Sequence, residues 1–236
     1  MKRFWQHVAV ADDAAGFAIA LDGRAVRTPK RAPLIIPQPA LAAAIAAEWA
    51  TVDGDIDPRA MPLTGLANAA IDIIAPDVAA FAATIAPYAT ADLLCYRADD
   101  ADLSREQARL WNPILDWAER QFTIQFNLTT GVMPADQPRE TIARLTNALG
   151  GADAWGLAAL SPLTSLSGSL VSALALLHSA FDAESLWQAA ILDALWQEER
   201  WGSDADALAA RAHAKREWDA AAQFLNYIGN DVAPSG

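Results

Sequence analysis

The chain has 236 residues, of which 53% are hydrophobic and 19% are charged, and its formal net charge is −12. This length and composition allow a substantial hydrophobic core, in one large domain or two modest ones. The acidic balance argues against nucleic acid and against an anionic membrane surface as partners, because both bind patches of Lys and Arg.

We expect a protein without membrane insertion in a reducing compartment. The N-terminal residues resemble neither a signal peptide nor a transit peptide, and we expect the longest apolar stretch to be 170–177, which is shorter than the about 20 residues that a membrane helix needs. Cys95 is the single cysteine and cannot form an intramolecular disulfide, so we expect a buried thiol.

The first forty residues predict a small antiparallel sheet. Short apolar segments at 4–10, 17–21, 25–28 and 34–36 are separated by turn signals, and Asp22-Gly23 is the strongest of these for a two-residue hairpin. Prolines on both sides of 34–36 predict that the last strand lies at an edge.

The residues that follow this predicted sheet are expected to be mainly helical. Pro39 suits the first position of a helix, and Leu41, Ile45, Trp49 and Val52 form one apolar stripe on it. Ser104 and Gln107 match a capping box. Further helices are predicted at 62–74, 77–88, 141–149, 154–181 with breaks near Pro162 and Gly168, 183–202 and 204–228, whereas 124–128 fits either a strand or an extended connection.

These patterns predict an α+β fold class. A small N-terminal domain with an antiparallel sheet and helices (1–88) precedes a mainly α-helical C-terminal domain (89–230) and a flexible tail (231–236).

The segment 183–202 carries apolar residues on almost every face, which is typical of a buried helix. However, Asp193, Gln197 and Arg200 fall on one side of it. Carboxylates are seldom fully buried without a partner, so either Asp193 pairs with Arg200 or another cation, or it lines a groove for a binding partner.

Motifs for catalysis are largely absent from the sequence. The three histidines are isolated, neither common phosphate-binding loop is present, and the LSGSL stretch at 166–170 lacks the GxSxG pattern. We therefore expect no cofactor, no metal and no enzymatic activity. One alternative is a hydrolase or transferase that uses Asp72, Asp92 and Asp193 in a pocket with raised pKa values. Another is an interaction protein with an unrelated client.

Seven blocks of sequence, in their order and spacing, resemble the assembly chaperones that act on the α subunit of F-type ATP synthase in mitochondria and α-proteobacteria. The blocks are LDGRAVRTP (21–29), Glu48-Trp49, MPLTGLANAAID (61–72), TADLLCYR (90–97), WNPILDW (111–117), GSLVSALAL (168–176) and WQEERWG (196–202).

The resemblance implies a chaperone that shields the subunit interface of the unassembled α subunit until the β subunit replaces it. The implied location is the cytoplasm of a bacterium or the mitochondrial matrix of a eukaryote. The client-binding residues that it implies are Asp193, Gln197, Trp201, Asn68, Asp72, Asp92, Tyr96 and Arg97.

Four positions affect how the roles of the family carry over to this chain. Ala194 and Leu195 are apolar where the family often has acidic residues, so the local charge depends on Asp193. Asn112 stands where the family usually has an aspartate, which weakens a charged role there. The apolar stripe favours a core position for Trp49 over a client contact.

Overall fold

The computed structural model describes residues 2–131 and 136–229. A small antiparallel sheet is followed by predominantly helical structure, which confirms the predicted α+β class. The predicted tail at 231–236 lies outside the described residues, and the predicted boundary at residue 88 stays a prediction. The chain divides into two compact units, of which the first comprises Met1–Val78, Asp153–Ala159 and Ala220–Gly236, and the second comprises Ala79–Ala152 and Leu160–Asp219.

The secondary structure of the described residues is as follows. The strands are β1 (Val8–Asp13), β2 (Gly16–Leu21), β3 (Arg24–Ala25), β4 (Ile35–Ile36), β5 (Tyr96–Arg97) and β6 (Thr129–Thr130). The α-helices are α1 (Pro39–Thr51), α2 (Pro62–Ala69), α3 (Val78–Ile85), α4 (Ala101–Phe122), α5 (Arg139–Gly150), α6 (Ala154–Ser167), α7 (Leu170–Leu177), α8 (Ala183–Ala190), α9 (Leu192–Trp201) and α10 (Ala205–Gly229). A π-helical segment (Ala70–Ile74) continues α2, and 3₁₀ turns occupy Pro58–Ala60, Ala86–Ala89 and Leu93–Cys95.

Strand β2 is the centre of the N-terminal sheet. It pairs antiparallel with β1 along its whole length and with β3 and β4 on its other side. Asp22 and Gly23 connect β2 to β3 with φ values of 47° and 78°, as the predicted tight hairpin requires. Strand β4 lies at an edge, as its flanking prolines predict.

Helix α1 packs against this sheet through the predicted apolar stripe. It begins at Pro39, and Leu41 and Ile45 are fully buried. Trp49 is half-buried and meets Trp5 edge-to-face at 5.3 Å between ring centroids. Both tryptophans belong to a hydrophobic cluster, so Trp49 is a packing residue of the first unit.

Glu48 closes the N-terminus of α2. Its carboxylate accepts hydrogen bonds from Leu63 N at 2.7 Å, from Thr64 N at 2.8 Å and from Thr64 Oγ1 at 2.7 Å. Helix α2 begins at Met61–Pro62 without a capping side chain of its own. Glu48 therefore satisfies, from a distant helix, backbone N–H groups that would otherwise lack partners.

Asp92 has a corresponding role in the second unit. Its Oδ1 accepts from Leu94 N at 3.1 Å, and its Oδ2 accepts from Val171 N, in the first turn of α7, at 2.9 Å. The side chain is almost fully buried, and this burial raises the pKa of Asp92 to about 6, against the lowering effect of the donated hydrogen bonds.

The break between α6 and α7 falls at Gly168, as predicted, where φ is +67°. Pro162 lies inside α6, so the predicted break near Pro162 is wrong. The LSGSL stretch is a junction between two helices, in which Ser169 caps α7 by accepting from Ser172 N at 2.9 Å.

The predicted capping box is wrong. Helix α4 begins at Ala101 with Asp100 as its N-cap, so Ser104 and Gln107 lie inside the helix. Residues 124–128 contain no strand, which agrees with the connection that was one of the two predicted alternatives, and the strand β6 that pairs with β5 begins at Thr129.

The segment 183–202 is two helices, and burial differs between them. In α8, Leu186, Trp187 and Ala189 are buried, whereas α9 contains no buried residue. The prediction of one buried helix is therefore wrong for its second half. Glu198, Glu199 and Arg200 interrupt the apolar pattern there, and charged side chains keep a helix at the surface.

Within the described residues, Val78–Cys95 has the length and apolar composition of a membrane span. In the structure this segment is divided into α3 and two 3₁₀ turns, and it contains the buried Asp92. The prediction that 170–177 is the longest apolar stretch is therefore wrong, because Val78–Cys95 is longer.

The Glu48 cap leads to a prediction about stability. Glu48→Ala removes the acceptor for two backbone N–H groups of α2, so we expect a loss of about 1–3 kcal/mol in the free energy of unfolding. Urea denaturation measures this loss. The control is Glu140→Ala, because Glu140 forms an exposed ion pair with Arg144 and should matter by less than about 0.5 kcal/mol. Equal losses for the two variants would contradict the capping role.

A second prediction concerns pH. The folded pKa of Asp92, about 6, exceeds the unfolded value of about 3.9. The contribution of this carboxyl to stability is therefore largest near pH 4 and decreases as pH rises to 6. Asn binds no proton, so the stability difference between wild type and Asp92→Asn should be about 1–3 kcal/mol larger at pH 4 than at pH 7. Urea denaturation across this range measures it.

Asp182→Asn is the matched control for the pH experiment. Asp182 caps α8, and its hydrogen bonds to Ser185 hold the pKa of Asp182 below its usual range. Its contribution to stability is present above the unfolded pKa and is lost as pH falls through the folded pKa. The difference in the free energy of unfolding between wild type and Asp182→Asn should therefore become smaller at acid pH. If the difference in the free energy of unfolding between wild type and Asp92→Asn also becomes smaller at acid pH, the assignment of a raised pKa to Asp92 is overturned.

Candidate functional site

The predicted client-binding residues of the first unit, Asp72 and Asn68, have different surroundings. Asp72 is buried and accepts hydrogen bonds from Thr28 Oγ1 at 2.7 Å and from Lys30 N at 2.9 Å. The side chain thereby connects the π-helical segment to the loop between β3 and β4. Asn68 is half-buried, and its Oδ1 has no hydrogen-bond partner among the described residues.

Tyr96, Arg97 and Asn112 lie together in the second unit. Tyr96 pairs with Thr129 in the β5–β6 ladder. Arg97 is buried, stacks over Trp111 at 5.2 Å and donates to Asn112 Oδ1 at 2.7 Å and to the carbonyl oxygens of Leu94 and Tyr96. The neutral amide at position 112 is therefore the acceptor for a buried guanidinium, and burial lowers the pKa of Arg97.

Asp193 is bound by an amide in the structure, and Arg200 has a different partner. Gln107 Nε2 donates to Asp193 Oδ1 at 2.8 Å. Arg200 instead donates to Asp100 Oδ2 at 2.8 Å and lies over the Trp196 ring at 4.6 Å. The predicted pairing of Asp193 with Arg200 is therefore wrong, and the polar residues of α9 do not form one network.

Several side chains of α9 and of the first turn of α10 are exposed. Trp201 is 77% exposed, and Leu195 and Leu208 are also exposed. Gln197 is exposed on the same helix, and Gly202 ends it with a φ of 86°. We call Leu195, Gln197, Trp201 and Leu208 the α9 surface. It contains two of the predicted client-binding residues, and Asp193 lies in the first turn of the same helix.

The carboxylates of the hydrolase or transferase alternative are engaged in structural contacts. Asp72 and Asp92 are buried and accept hydrogen bonds from the backbone, and Asp193 accepts from Gln107. Asp92 does have a raised pKa, but its cause is complete burial at a helix N-terminus, which gives no access to a substrate. These three carboxylates do not form the open, substrate-facing cluster that this alternative needs.

Neither a metal centre nor a nucleophile is evident in the described part of the chain. No group of three or more His, Cys, Asp or Glu side chains there has the arrangement of a metal site. A cavity of about 330 Å³ in the second unit is lined by Glu119, Glu140, Thr141 and neighbouring residues, and none of the predicted site residues lines it. Cys95 is buried, as predicted, and burial raises the pKa of its thiol to about 12, so it is inert as a nucleophile.

Sequence reasoning missed three residues that organise these regions. Glu48 was recognised only as part of a block, and Gln107 was assigned to a capping box that does not form. Trp111 was likewise recognised only as part of the WNPILDW block, and its indole nitrogen donates to Ala189 O at 2.9 Å. A buried polar residue on the apolar side of a long helix, such as Gln107 on α4, was the available signal.

The chain is similar to proteins of known structure. It is 39% identical to Atp12 from Paracoccus denitrificans, with a TM-score of 0.91 over 96% of this chain and 97% of that one. It is 41% identical to a protein of Agrobacterium tumefaciens, also with a TM-score of 0.91, over 96% of this chain and 86% of that one.

A more distant relative is the mitochondrial protein atp12 of Schizosaccharomyces pombe, which is 26% identical over 219 residues, or 87% of this chain and 75% of that protein. The family model described as ATP12 chaperone protein matches residues 2–119. The chain therefore belongs to the ATP12 chaperone family, the family of ATP synthase assembly chaperones that its sequence blocks resemble.

Proposed function

We propose that this protein binds the unassembled α subunit of F-type ATP synthase through the α9 surface, without catalysis, until the β subunit replaces it. Its location would be the cytoplasm of a bacterium or the mitochondrial matrix. Membership of the ATP12 chaperone family supports the general role. The observation that carries the choice of surface is the exposure of Trp201 on a helix with no buried residue.

Exposed tryptophan is uncommon on a free surface and is enriched at the centres of protein interfaces. A solitary exposed apolar residue needs no explanation, but α9 and the start of α10 combine Trp201 with Leu195 and Leu208. A surface of this kind can cover apolar area on a client that would otherwise aggregate.

Acidic residues accompany the apolar ones. Glu199, Asp204 and Asp206 are exposed in the same region, and Arg200 is engaged with Asp100. The complementary client surface would be apolar with basic residues at its rim, because opposite charges at the rim of an interface speed association and disfavour wrong partners.

The proposed cycle needs no nucleotide and no bond cleavage. A chaperone that occupies an assembly interface is displaced when the correct subunit binds that interface more tightly. The positions of Asp72 and Asp92 as internal hydrogen-bond acceptors are consistent with this non-enzymatic role. These two residues would then support the fold, and the contact with the client would be made by exposed residues.

Trp201→Ser tests the proposed surface. Loss of one central aromatic contact should weaken capture of the α subunit about tenfold or more. Because Trp201 is 77% exposed, the free energy of unfolding should stay within about 0.5 kcal/mol of wild type. The measurement is capture of separately expressed α and β subunits by the immobilised full chain, followed by addition of β to the α complex.

Phe4→Ser is the matched control, because Phe4 is an aromatic residue that is 64% exposed and lies outside the α9 surface. It should capture the α subunit as wild type does. Selective capture of free α, its release by β and its loss in Trp201→Ser alone would support the proposal. Failure of the folded wild-type protein to capture α would reject the client, and equal capture by both variants would reject the surface.

A further inference from the structure

Two hydrogen bonds from α4 end at the junction of α8 and α9. Trp111 Nε1 donates to Ala189 O at 2.9 Å, and Gln107 Nε2 donates to Asp193 Oδ1 at 2.8 Å. The donors are four residues apart on α4, and the acceptors are four residues apart along the partner segment. Residues four apart lie on one face of a helix, so the two contacts are one helical turn apart along α4.

The junction itself explains why the Trp111 contact forms there. Helix α8 ends at Ala190, and Ile191 separates it from α9 with φ −98° and ψ 5°. The last carbonyl groups of a helix lack partners within that helix. Trp111 supplies a buried donor to one of them, which fixes the end of α8 against α4.

The orientation of the Gln107 amide is also determined by its surroundings. The side chain is 2% exposed, and its Oε1 accepts from Ala98 N at 2.8 Å. A rotated amide would place its NH₂ group against the N–H of Ala98 and its oxygen against the Asp193 carboxylate, which are two repulsive contacts. Gln107 therefore presents a donor to Asp193.

Helix α9 depends on such polar contacts more than its neighbours do. It has no buried residue, so apolar packing cannot hold it in the way it holds α8. Within the described residues, the side chains of α9 make three polar contacts with other parts of the chain: Asp193 with Gln107, Arg200 with Asp100, and Glu198 with Arg211. Of the three, the contact with Gln107 joins α9 to a donor that is almost fully buried.

We infer that Gln107 is a positioning residue of this chaperone: through Asp193, and with Trp111 one turn away, it sets where α9 presents Gln197 and Trp201 to the client. This inference rests on the function proposed above for the α9 surface. It assigns to Gln107 no contact with the client, and its effect is transmitted through the placement of α9.

The test exchanges donor and acceptor across the Gln107–Asp193 hydrogen bond. Gln107→Glu places a carboxylate against the Asp193 carboxylate and removes the hydrogen bond. In the double variant Gln107→Glu/Asp193→Asn, the new amide can donate to the new carboxylate, and the total charge equals that of wild type. Gln188→Glu is the control, because Gln188 is exposed on α8 and the substitution adds the same charge outside the contact.

Two quantities are measured on the full chain: hydrogen exchange of the backbone amides of 192–201, and capture of the α subunit. We expect Gln107→Glu to speed exchange in α9 about tenfold or more and to weaken capture by a similar factor. Exchange in α7 should stay unchanged. The double variant should restore slow exchange in α9, and Gln188→Glu should behave as wild type in both measurements.

The inference is overturned if Gln107→Glu leaves either exchange or capture unchanged, if the double variant does not restore slow exchange, or if Gln188→Glu has the same effect. Failure of the proposed function gives a different result. In that case wild type does not capture the α subunit, while the exchange experiment still reports whether Gln107 holds α9.

Discussion

Much of this fold depends on carboxylates that are buried or half-buried and accept backbone hydrogen bonds. Glu48 closes the N-terminus of α2, and Asp92 joins the start of α7 to the turn at Leu93–Cys95. Asp72 binds the loop between β3 and β4. Each of the three accepts at least one hydrogen bond from a residue that is 15 or more positions away in sequence. A protein with few basic residues thus satisfies its internal carboxylates with N–H and O–H donors, which stabilises helix termini and also compensates much of the cost of desolvation.

The acidic residues of the chain therefore include a group with structural contacts inside the protein and a group that is exposed. Asp72 and Asp92 are removed from solvent, whereas Glu199, Asp204 and Asp206 remain at the surface near Trp201. The internal acids therefore define the framework, and the surface acids are free to influence which partners approach. The same division argues against a catalytic role, because Asp72 and Asp92 are engaged inside the protein.

Helix α9 combines a hydrogen bond to a buried residue of α4 with a surface that has no buried residue. The side of the junction that faces α4 is fixed by Gln107 and Trp111, while Leu195 and Trp201 have no packing partner that buries them. A rigid attachment lowers the entropy lost when an exposed residue binds a partner. This combination of an anchored helix and exposed side chains is the basis on which we propose the α9 surface as the place where a client binds.

The sequence alone determined the local structure well. Alternation, the Asp22-Gly23 turn, Pro39 and the α1 stripe depend on neighbouring residues, and so the hairpin, the first helix and the α+β class were predicted correctly. The blocks of family resemblance identified the chaperone family, because seven of them occur in order over nearly the whole chain.

Tertiary structure decided the roles of individual polar residues. Whether Asp193 pairs with Arg200 or with Gln107 depends on which helix lies beside it, and no periodicity within 183–202 contains that information. The break at Ile191 lies beside the contact between α4 and the end of α8. The exposure of Trp201 likewise depends on how α9 packs in the folded chain. Local patterns set helices and turns, whereas hydrogen bonds between residues 86 positions apart are fixed only when the chain has folded.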